Sequence, residues 1–143
     1  MMYQDFLFPN ADFLFEINGM GGPMMPCRFY VAKDVTTDTA AKFYLEKLPS
    51  FEVNKDQPED GHRHLQLDIS ARILDELHGG TNLEDLPEKG SELEGRLTGV
   101  EVVHSGYTMG MSNLDLAIKG YKRGDDIPAD ATIIVLCYFK NPY

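Results

Sequence analysis

Leu65-Gln66-Leu67-Asp68-Ile69-Ser70-Ala71-Arg72-Ile73 alternates apolar and polar residues without interruption. A period of two is the pattern of a strand with one face in a core and the other toward water. Asp12-Phe13-Leu14-Phe15-Glu16-Ile17 places Phe13, Phe15 and Ile17 on one side, and Cys27-Arg28-Phe29-Tyr30-Val31-Ala32 alternates again. Thr132 to Phe139 is apolar nearly throughout, as expected of a central strand covered on both faces.

Other segments interrupt this pattern. Leu93, Gly95 and Leu97 share one parity while Val100 and Val102 take the other, so a β-bulge is expected near Gly99. Thr37 to Leu48 reads as a helix, with Thr37 or Asp38 at its start, Ala41, Leu45 and Leu48 on one stripe, and Pro49 ending it. Phe51-Glu52-Val53 is a short extended candidate, Lys55 to Gly61 a polar turn, and Asn113 to Lys119 a further alternating strand. Asn18 to Pro26, rich in Gly and Pro, reads as an irregular surface loop, and Thr81 to Glu92 as an acidic one. Residues 70–78 satisfy both strand and helix spacing.

Six to eight strands with one or two short helices predict a mainly β fold, an antiparallel β-sandwich or partly open barrel, with an α+β sheet as the competitor. The 143 residues suit a single domain over 1–143. The net charge of −10 is concentrated in residues 51–101, where thirteen Asp and Glu oppose five Lys and Arg. That surface repels phosphate backbones and anionic lipid, so neither direct nucleic-acid nor membrane binding is expected. Asp5 stands where a secretory signal carries Lys or Arg, which points to a cytoplasmic or virion setting. Cys27 and Cys137 both sit in apolar runs and read as buried free thiols, with a disulfide between terminal strands as the alternative.

Chemistry-bearing constellations are weak. His62 and His64 are two apart, so a strand would point both to one face beside Glu59, Asp60 and Asp68. Spacing supplies no third metal ligand, although His78 or His104 could arrive through the fold, and two exposed histidines on an acidic surface is the reading adopted. His104 and Ser105 are adjacent and would face opposite ways, which argues against a triad with Asp115. Gly19 to Pro23 lacks the Lys-Ser/Thr of a phosphate loop, and Glu84-Asp85 with Glu88 misses the spacing of a calcium loop. No cofactor is expected.

The loop methionines suggest more. Met20, Met24 and Met25 in one segment and Met109 and Met111 in another offer flexible thioethers to irregular partner surfaces. Tyr3, Phe6, Phe8 and Tyr143 add aromatic anchors at the two ends. These nine residues are the interface candidates of a non-enzymatic structural subunit, a homo-oligomer or component of a larger assembly such as a viral capsid or tail accessory protein. Two other readings compete. One is an acidic inhibitor or nucleic-acid mimic presenting Asp56, Asp60, Asp68, Glu84, Asp85, Glu92 and Glu94 to a basic enzyme. The other is a small metal-dependent hydrolase built on His62 and His64.

Overall fold

A computed structural model of the protein describes residues 2–19, 22–69, 94–106, 113–122 and 125–140, with side chains apart from those at 19, 22–25 and 113–115. The strands are β1 (Asp12–Gly19), β2 (Gly22–Ala32), β3 (Glu52–Glu59), β4 (His62–Asp68), β5 (Leu97–His104) and β6 (Thr132–Tyr138). The helices are α1 (Thr37–Lys47) and α2 (Asn113–Ile118), and a 3₁₀ turn covers Tyr3–Phe6. The strands form one antiparallel sheet in the order β1-β2-β6-β5-β4-β3. The fold is therefore mainly β, as the alternation predicts. Among the described residues, helices and loops cover the sheet in place of a second sheet, and neither a sandwich nor a closed barrel is seen.

Period-two alternation sorts the side chains onto two faces. Leu65, Leu67, Val100, Val102, Ile134 and Leu136 meet Ala40, Ala41, Tyr44 and Leu48 of α1 on one face. On the other, Phe15, Phe29, Val31, Val103, Ile133 and Val135 pack with Leu116, Ile127 and Ala131. β6 thus buries both sides, which is why its sequence is apolar throughout rather than alternating. The expected bulge is present as a register shift between Leu97 and Gly99.

Several expectations need correction. Thr36, not Thr37 or Asp38, caps α1, its Oγ1 accepting from the Thr39 amide at 3.1 Å. Lys55 to Glu59 belongs to β3, and the turn is confined to Asp60 and Gly61, both at positive φ. Pro23 and Pro26 lie in strand β2 rather than in a loop. Pairing of β2 with β6 begins only at Cys27, so the missing proline donors fall outside the doubly paired part. Asn113–Ile118 is helical, and Leu116 at 0% and Ile118 at 77% exposure show that residues two apart no longer share a face. Cys27 and Cys137 are directly opposite on β2 and β6, with Cα atoms 4.0 Å apart, and are joined as a disulfide rather than left as thiols. The alternation at 70–73 and the acidic 81–92 stretch lie outside the described residues, and no helix among those described is long and apolar enough to cross a membrane.

Candidate functional site

Two places concentrate features beyond the core, the first being the β1 edge. β1 pairs with β2 on one side, and no described strand pairs with its other side. Its sequence carries Phe13, Leu14, Phe15 and Ile17 but no Lys, Arg or Pro. Leu14 and Phe15 are buried, whereas Phe13 is 47% exposed. Arg28 lies over the Phe13 ring, 4.0 Å from its centroid, and donates to the Tyr30 hydroxyl at 3.0 Å. Glu16 is held by Arg28 at 3.3 Å and by the Tyr138 hydroxyl at 2.5 Å, so the strand's central carboxylate is already neutralised. Burial, and then the Glu16 carboxylate, keep the Tyr138 hydroxyl above the usual phenol range. The Tyr121 hydroxyl donates to the Leu14 carbonyl and takes up one backbone acceptor of β1.

The opposite edge is built differently. β3 contains Lys55 and Pro58 and three carboxylates, and its register with β4 slips between Val53 and Lys55. Lys, Pro and bulges are the devices that keep an edge from pairing with another chain. β3 has all three.

The second place is the end of the sheet where β4 begins and β5 ends. The β4–β5 register pairs Gln66 with Glu101, and Gln66 donates to that carboxylate. The same register brings Glu101 diagonal to His64. His64 is 2% exposed, with Nδ1 2.5 Å from Glu59 Oε2 and Nε2 3.3 Å from Glu101 Oε2. This corrects the expectation of two exposed histidines, because His64 is a buried ring flanked by two carboxylates. His62 is half-buried and stacks flat on His104, with centroids 3.6 Å apart and planes 4° from parallel. His104 Nε2 lies 2.8 Å from Asp130, and its Nδ1 accepts from the Gly106 amide at 3.1 Å. The His104 hydrogen bond holds the Asp130 carboxyl below the usual carboxylate range. Clefts of about 220 and 360 Å³ adjoin the stacked rings.

The fold does bring His104 to His62, but face to face, so the ring nitrogens do not converge on one point. Among the described residues no group of three His, Cys, Asp or Glu is arranged to hold a metal ion. Ser105 is structural, its Oγ accepting from the Ala131 amide at 3.0 Å. On the α1 face, Arg63 binds Asp56 through Nε and Nη2, each at 2.8 Å, and Asp38 through Nη1 at 2.9 Å. Sequence reasoning missed this cluster; Arg63, of opposite parity to the two histidines that flank it, was its trace.

The interface candidates divide. Tyr3 stacks on Tyr138 at 4.3 Å, Phe8 meets Phe43 edge-on at 5.0 Å, and Phe6 packs on the α1 core. Their contacts are intramolecular. Met20, Met109, Met111 and Tyr143 lie outside the described residues, as do the side chains of Met24 and Met25. Of the seven proposed mimic carboxylates, Asp56 is bound by Arg63 and Asp68 accepts from Asn54, Asp60 and Glu94 are exposed, and Glu84, Asp85 and Glu92 are outside the described residues. No family model, no curated protein and no solved structure matches the chain.

Proposed function

We propose that the protein is a non-enzymatic subunit that assembles with copies of itself, and that β1 is the joining strand. The observation that carries this reading is the asymmetry of the sheet edges. β3 bears a lysine and a proline, and β1 bears neither and is the more apolar; register shifts occur on both edges and do not distinguish them. An open edge of that kind accepts another strand through its backbone, the physical basis of strand addition.

Charge favours a second copy as the occupant. With Glu16 neutralised by Arg28 and Tyr138, Asp12 is the remaining carboxylate of β1. Antiparallel pairing about a two-fold axis puts the two Asp12 residues at opposite ends of the joint, so they do not repel. The product is a continuous sheet of two copies.

Sedimentation velocity over a range of concentrations tests the proposal. Phe13→Glu puts a carboxylate on the edge and leaves Arg28 an attractive partner. Val53→Lys makes a comparable change on the opposite edge, where Val53 is 53% exposed. The expected outcome is a dimer for the unaltered protein and for Val53→Lys, and a monomer for Phe13→Glu. A dimer that survives Phe13→Glu refutes the assignment of β1.

A further inference from the structure

His62 and His104 bring two titratable rings into contact where the β3–β4 turn, the turn after β5 and the segment before β6 meet. The charged groups around them come from every neighbouring element. β3 supplies Glu59, the turn Asp60, and the approach to α1 Asp34. β4 supplies His64 and Arg63, the latter bound to Asp56 and Asp38. β5 supplies Glu101 beside His64, and the segment before β6 supplies Asp130.

The hydrogen bonds of His104 fix its tautomer. Nδ1 accepts from the Gly106 amide and therefore carries no proton, so the proton of the neutral ring sits on Nε2 and is donated to Asp130. A second proton must enter at Nδ1, where it opposes the Gly106 N–H and ends that bond. It also places a positive ring 3.6 Å from His62, whose own ring has no hydrogen-bond partner among the described residues. Two charged imidazoles at that separation repel, and Asp130, whose side chain is 93% exposed, screens this only weakly.

We propose that the His62–His104 stack and the Gly106 amide form an acid-sensitive latch, closed over neutral rings and opened when His104 takes its second proton. Histidine is the side chain type whose charge change falls in the physiological pH range, so an NMR titration across that range is the test. The open state frees the Gly106 amide and separates the ends of β4 and β5, while Ser105 stays held by Ala131 and the sheet beyond stays paired.

The test is an NMR titration of the full chain from about pH 8 to 5. It follows the ring nitrogens of His62 and His104, the Gly106 amide, and the Val135 amide as a reporter of the central sheet. The expected result is a Gly106 shift that tracks His104 Nδ1 protonation, with the two rings titrating anticooperatively at a Hill slope below one. In His62→Phe, which keeps a flat neutral ring, the His104 slope returns to one. A Gly106 amide indifferent to His104, independent single-site curves for both rings in the unaltered protein, or a Gly106 change that appears only together with a Val135 change would each overturn the latch.

Discussion

At the scale of single residues, two side chains tie separate elements together and make testable demands. Arg63 joins β4 to β3 through Asp56 and to α1 through Asp38, while its backbone amide donates to Thr37 Oγ1 at 2.8 Å. The Arg63 hydrogen bond holds the Asp56 carboxyl below the usual carboxylate range; Lys42 first and then Arg63 do the same for Asp38. A carboxylate depressed in the folded state contributes stability above its unfolded pKa of about 4 and loses it as pH falls through the lower folded value. Arg63→Ala therefore flattens the acid limb of the stability curve below about pH 4, as measured by urea midpoints at successive pH values, and leaves its shape at neutral pH unchanged. Tyr44 is fully buried, and its hydroxyl donates to the Phe6 carbonyl at 2.7 Å. Tyr44→Phe should cost about 1 kcal/mol in denaturant unfolding, the net worth of one such bond. A cost near zero would mean that the Phe6 carbonyl finds water instead.

At the scale of elements, the N-terminal segment is tied to the sheet and to α1. Met2 bridges Arg96, the Tyr3 amide donates to the Gly95 carbonyl at 2.9 Å, the Tyr3 ring stacks on Tyr138 of β6, and the Phe8 ring meets Phe43 of α1 edge-on. Deleting residues 2–8 should lower stability by roughly 2 kcal/mol or more, from lost ring contacts and hydrogen bonds, and should leave any dimer formed through β1 intact. Loss of the dimer without loss of stability would return the interface to the aromatic arm. Burial of one face writes period two into β4, where the reading held. In β1 the register shift between Phe13 and Phe15 puts Leu14 and Phe15 into the same core and leaves Phe13 exposed, so the expected shared face of Phe13, Phe15 and Ile17 is broken. The second half of β2 is buried on both faces. β3 was only glimpsed at Val53, since an edge strand exposed on both faces leaves no apolar period and is a strand through its backbone pairing with β4. Asn113–Ile118 misled because six residues are too few to separate a period of 2 from one of 3.6. The histidine cluster lay outside reach for a related reason: His62 and His104 were both visible, but their contact depends on the β4–β5 register.

At the scale of the whole molecule, one sheet with an apolar side and a guarded side is closed internally by the disulfide across β2 and β6, at a sequence separation of 110. Reduction should lower stability by roughly 2–4 kcal/mol, chiefly by releasing the unfolded chain, and should leave the strand order unchanged. The denaturation midpoint with and without reductant measures the loss. The net charge of −10 opposes association of two copies, so a joint through β1 should strengthen as salt screens that repulsion. The self-association of β1 is tested most directly by amide hydrogen exchange at low and high protein concentration. The account predicts that the outward-facing amides of Asp12–Gly19 gain protection as concentration rises, while those of Glu52–Glu59 do not change. Exchange at β1 that is independent of concentration, or protection gained at β3 in its place, would contradict it.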